Sequence, residues 1–139
     1  MNRCLAMSLF TSTLFFVCTP PSLHAAPPLR YVEIQSASSD GLGQELVREV
    51  KRAVRQSSGL VEMDAGPRVV VVITTLDPDA SKEVNGSRTV YSVVWSYRAD
   101  EDAWPTYFAT TLGTCGRAGI DSIVSAIVTG TEKVLEDAS

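Results

Sequence analysis

The chain has 139 residues, with 12 Lys and Arg against 16 Asp and Glu, a formal net charge of −4, and 45% hydrophobic and 20% charged side chains. This balance is ordinary for a folded domain and excludes a highly charged, disordered chain. An acidic chain is not expected to bind nucleic acid generally, because phosphate contacts need a cationic surface.

The amino-terminal residues read as an export signal. Arg3 gives a positive start, residues 4–17 carry no charge, Pro20 and Pro21 break the apolar run, and Ala25 is a small residue suited to signal peptidase. The run is shorter than the ~20 residues of a spanning helix. Cys18 follows Phe16 and Val17 rather than a small residue, which argues against lipidation. The expected organisation is a signal peptide over residues 1–25 and one domain over residues 26–139, periplasmic or secreted and not membrane-spanning. Cleavage removes His24, the only histidine, together with Cys4 and Cys18, so Cys115 is left unpaired. Loss of Arg3 makes the net charge one unit more negative. Ser-His-Asp and Cys-His catalysis, His-ligated zinc and an internal disulfide are thereby excluded from the exported domain.

Pro27 and Pro28 form a stiff leader to a first strand over residues 29–34, which contains Tyr31. Residues 36–41 are expected as a loop in which Asp40 or Ser39 caps the next helix. That helix spans residues 41–57, where Leu42, Leu46, Val47, Val50, Ala53 and Val54 recur on one face. Gly59 is expected to end it in the left-handed conformation. Residues 60–63 form a short strand, and Ala65-Gly66-Pro67 turns the chain. The β-branched run Val69-Val70-Val71-Val72-Ile73 marks a central strand over residues 68–76, buried on nearly both faces. A polar stretch with the turn pair Asn85-Gly86 leads to a strand over residues 89–98. Asp100-Glu101-Asp102 turns into a strand over residues 107–112. The last helix spans residues 117–136, with Ile120, Ile123, Val124, Ile127, Val128, Val134 and Leu135 on one face. Its acidic end opposes the helix dipole and is expected to fray. The order β-α-β-β-β-β-α implies an α+β two-layer sandwich, a mostly antiparallel sheet of three to five strands with both helices on one face.

Two surfaces stand out as candidate binding sites. Arg48, Lys51, Arg52 and Arg55 follow the spacing i, i+3, i+4, i+7, so they form one cationic stripe opposite the apolar face of the first helix. Such a stripe suits an anionic surface or an acidic envelope protein, although Glu45 and Glu49 lie beside it. Tyr91, Val93, Trp95 and Tyr97 share one face of their strand, and Val90, Ser92, Val94 and Ser96 the other. If the helices cover the Val/Ser face, the aromatic row is an open binding surface, extended by Trp104 and Tyr107. The competing arrangement makes that row the core.

The remaining motifs are weaker. Cys115, in Leu112-Gly113-Thr114-Cys115-Gly116-Arg117, sits where a strand gives way to a helix beside an arginine, the setting of a reactive thiol. Without a histidine it has no evident base, and a small residue in a tight turn explains it more simply. Intermolecular pairing is the third option. Asp77, Asp79, Ser81 and Glu83 alternate like a calcium loop, but Lys82 and Arg88 occupy the positions that need glycine and glutamate. Gly41-Leu42-Gly43 lacks the third glycine of a dinucleotide loop, since Leu46 stands there. No metal and no cofactor is expected.

The strings Thr74-Thr75-Leu76-Asp77-Pro78, Thr89-Val90-Tyr91-Ser92-Val93-Val94-Trp95 and Gly113-Thr114-Cys115-Gly116 resemble segments of small exported bacterial proteins of unknown function. The element order is similar, in topology alone, to the amino-terminal domain of the Tol-Pal protein TolB. The expected function is a non-enzymatic binding module of the cell envelope. The alternatives are a secreted enzyme using carboxylates or Cys115, and an inhibitor or immunity-like protein.

Overall fold

The structure, a computed structural model, describes residues 30–79 and 87–138. The signal segment, the Pro27-Pro28 leader, Ser81, Glu83 and the Asn85-Gly86 turn lie outside the described residues. The first strand, β1, is Arg30–Ser38 and leads to helix α1, Gly41–Gln56. Three strands follow, β2 (Leu60–Glu62), β3 (Arg68–Leu76) and β4 (Arg88–Arg98), and then β5 (Thr106–Gly116). A 3-10 turn over Arg117–Gly119 precedes helix α2, Ile120–Asp137.

The strands form one sheet in the order β2-β1-β3-β4-β5. β1 is parallel to β2 and β3, and the longer ladders β3–β4 and β4–β5 are antiparallel. Both helices cover the face that carries Val32, Ile34, Val69, Val71, Ile73 and Val93. α1 contributes Leu42, Leu46, Val50 and Val54 to that core, and α2 contributes Ile127, Val134 and Leu135. Each fully buried aliphatic side chain contributes about 1.5–3 kcal/mol. The α+β two-layer sandwich expected from the element order is the observed fold.

α1 starts where Asp40 caps it. One carboxylate oxygen of Asp40 accepts the Gly43 amide at 2.6 Å, and the other accepts the Thr89 hydroxyl of β4 at 3.0 Å. This buried cap fastens the helix to the sheet as well as satisfying an orphan amide. Gly43 is required by close approach: a Cβ there would overlap the Thr75 side chain and come 2.7 Å from Asp40 Oδ2.

Several boundaries differ from those expected. β1 runs on to Ser38, because residues 36–38 pair with Ile73, Thr74 and Thr75 of β3. These small residues have little strand propensity, and the parallel neighbour holds them extended. β5 likewise continues to Gly116, paired with Arg88. Gly59 is not left-handed. α1 ends by turning extended at Ser57, whose amide bonds back to Ala53 and Val54, and the single positive φ among the described residues is Gly66 at 73°. The acidic end of α2 is met by Arg30, whose guanidinium donates to the Glu132 carbonyl at 3.4 Å and pairs with Glu136 at 3.6 Å. The cation that α2 lacks in its last turn therefore comes from β1.

Candidate functional site

The aromatic row of β4 is core, not an open surface. Tyr91 and Trp95 are buried beneath the helices, Trp95 at 5% exposure, and Tyr97 is half-buried against the same cluster. The binding role expected for Tyr91, Trp95 and Tyr97 is therefore corrected. Its physical reason lies on α2. The Trp95 indole donates to Thr131 Oγ1 at 2.9 Å, and Gly130 passes so close that a Cβ would lie 3.0 Å from the ring. A glycine and a threonine give the helix the groove and the acceptor that a buried tryptophan needs. The outer sheet face instead carries Val90, Ser92, Val94 and Ser96, with Leu112 at 73% exposure and Tyr107 beside them. Trp104, in the turn between β4 and β5, is 93% exposed.

The cationic stripe is on the surface as the helical period implies. Arg48, Arg52 and Arg55 are exposed and Lys51 is half-buried. All four line one groove of about 630 Å³, with Gln44, Val47 and Gln56 of α1 on the same wall and Ser36 and Ser38 of β1 opposite. Long cationic side chains of this kind tend to lay their aliphatic stems along apolar surface and keep the charged head in water. Glu49 pairs with both Arg48, at 3.9 Å, and Arg52, and Glu62 of β2 holds Arg55 at 2.8 Å. Lys51 has no ion pair among the described residues. Four cations thus face two carboxylates, and the groove keeps a positive surplus on an otherwise acidic chain.

Cys115 lies at the end of β5, two residues before the 3-10 turn that leads into α2, where the strand gives way to the helix as expected. It is 2% exposed, its thiol donates to the Gly116 carbonyl at 3.2 Å, and burial pushes its pKa up. A reactive thiol needs the opposite shift. Arg117 pairs with Glu45 at 3.3 Å. Cys115 is a packed small side chain, and the reactive-thiol expectation is corrected.

One ionic cluster was not anticipated. Arg68 is buried on the outer sheet face, donating to Glu33 at 2.6 Å, to Glu101 at 2.8 Å and to the Gly66 carbonyl at 2.8 Å. Burial pushes the Glu33 carboxyl up, but hydrogen bonds from Gln35 and Arg68, with the Arg68 charge, outweigh it and hold the pKa below the ordinary range. The hydrogen bond from Arg68 does the same for Glu101. These carboxylates are held ionised, whereas a general acid at neutral pH needs a raised pKa. Only the burial of Arg68 would have revealed the cluster, since charge and spacing alone read Asp100-Glu101-Asp102 as a solvated turn. Asp79 meanwhile pairs with Arg88 at 3.0 Å.

No helix among the described residues is long and apolar enough to cross a membrane. No family model and no curated protein matches the chain. Among solved structures, a hypothetical protein from Chlamydia trachomatis is similar at 10% identity and a TM-score of 0.39, over 63% of this chain and 72% of that one. A minor lipoprotein from Acinetobacter baumannii is similar at 8% identity and a TM-score of 0.37, over 78% of this chain and 94% of the other. The rare lipoprotein B from Shewanella oneidensis gives 13% identity and a TM-score of 0.26, over 76% and 92%. Likeness at this level bears on neither activity nor partner, and no TolB domain stands among these three.

Proposed function

We propose that the chain is an exported, non-enzymatic binding domain of the cell envelope that recognises an acidic protein partner at the cationic groove of α1. The observation that carries this reading is the groove itself, which gathers Arg48, Lys51, Arg52 and Arg55 along one wall with a positive surplus. Exposed ion pairs contribute only about 0–1 kcal/mol, so Glu49 and Glu62 are readily exchanged for a partner's carboxylates. The concave shape favours a protein segment over a lipid surface, because a flat headgroup plane would meet the arginine tips and leave Ser36, Ser38 and Val47 untouched. The export signal and the envelope location belong to this reading, resting on residues 1–25. The non-enzymatic part is supported by the burial of the Cys115 thiol.

Fluorescence anisotropy with labelled poly-L-glutamate tests the reading. Salt-sensitive binding that the double reversal Arg48→Glu and Arg52→Glu removes is the expected result. Binding to anionic phosphatidylglycerol vesicles but not to poly-L-glutamate would replace the protein partner with a lipid surface.

A further inference from the structure

We infer that the partner docks as an added strand on the free edge of β1, through an extended segment with acidic side chains at alternate positions. This rests on the acidic-partner reading and specifies its mode. β2 is only three residues long and covers Arg30, Tyr31 and Val32. β1 continues for residues 33–38, paired with β3 on its inner side throughout. On the outer side that stretch has no strand neighbour among the described residues.

The direction of the unpaired groups follows from the pairing that exists. The Arg30 amide bonds to Gly59 at 3.3 Å and the Val32 carbonyl accepts the Met63 amide at 2.9 Å, so these alternate residues turn their backbone groups outward. By the two-residue strand period, Ile34, Ser36 and Ser38 do the same. Their amides and carbonyls form a strip about 13 Å long at ~3.3 Å per residue. An added strand would continue the line that β2 leaves at Glu62. Main-chain hydrogen bonds to such an edge supply affinity, and the side chains that alternate above it supply specificity.

Specificity here is electrostatic. The groove over this edge has Ser36 and Ser38 on its floor and the four cations of α1 above. Arg48 to Arg55 spans about 10 Å at ~1.5 Å rise per residue. Alternate side chains of a strand are about 6.6 Å apart, so two or three acidic residues at i, i+2 and i+4 match the stripe. Their intervening side chains turn to the outer face, beside the exposed Gln35 and Ala37. A second copy of this chain is disfavoured as occupant, because pairing β1 with β1 would bring two cationic stripes together.

The test uses the purified protein and a fluorescent peptide of alternating threonine and glutamate, against the same peptide N-methylated at alternate amides. Ser36→Pro removes one outward amide that the fold does not use, so it reports on strand addition without touching the cations. We expect the unmodified peptide to bind, the N-methylated peptide and Ser36→Pro each to weaken binding about tenfold or more, and amide exchange at Ile34, Ser36 and Ser38 to slow in the complex. If both peptides bind alike with no new protection at those amides, strand addition is wrong while the acidic-partner reading stands. If neither peptide nor poly-L-glutamate binds, both fail. Should Ser36→Pro not fold, amide protection in the unaltered protein decides.

Discussion

The indole of Trp95 donates a 2.9 Å hydrogen bond to Thr131 Oγ1, whose hydroxyl in turn donates to the Ile127 carbonyl at 2.8 Å. This relay ties the middle of the sheet to α2 and decides which face of β4 is inside. Thr131→Val leaves the indole N–H buried without an acceptor and is expected to cost about 1–3 kcal/mol in urea denaturation. Trp95→Phe combined with Thr131→Val should cost less than the sum of the two single changes, because each removes the same interaction. An additive pair would contradict the relay.

The α1 cap makes a similar prediction. Asp40→Ala loses the acceptor of the Gly43 amide and leaves the buried Thr89 hydroxyl only its longer contacts to the Leu76 and Val90 carbonyls, for an expected loss of about 1–2 kcal/mol in thermal or chemical unfolding. Asp40→Asn keeps an acceptor for the amide and should recover most of that loss.

How far the residues announced this arrangement depends on whether a local period fixed the answer. The stripe Arg48, Lys51, Arg52 and Arg55 was legible because helical spacing opposite Leu46 and Val50 leaves one orientation, and the central strand was legible from its β-branched run. The face of β4 was not, since aromatic and Val/Ser rows alternate equally well, and the deciding partner is 36 residues away in sequence. The free edge of β1 was illegible for the same reason. It exists because β2 stops after three residues, and residues 36–38 look like a loop until β3 holds them.

Acid should weaken the fold through Arg68. The carboxyl groups of Glu33 and Glu101 have pKa values held below the usual 4.5 in the folded state. Their stabilisation is therefore complete above that value and is lost as pH falls through the lowered folded values. Arg68→Met should lower stability at neutral pH and flatten the acid limb of the stability curve. An unchanged acid limb in the variant would assign the pH dependence to other carboxylates.

Cys115 should behave as a buried side chain. Reaction of the native protein with a thiol reagent is expected to be many-fold slower than in urea, with a rate that follows local opening rather than thiolate formation. Rapid labelling near neutral pH would restore the activated thiol. A disulfide-linked dimer on non-reducing gels would show the residue reaching another chain.

The most direct measurement is chemical-shift mapping of the labelled protein with the alternating threonine–glutamate peptide. Shifts concentrated at residues 34–38 of β1 and residues 47–56 of α1, and abolished by Arg48→Glu with Arg52→Glu, are the predicted result. Shifts confined to the outer sheet face around Tyr107 and Leu112, or no shifts at all, would contradict an acidic strand docked beneath the cationic helix.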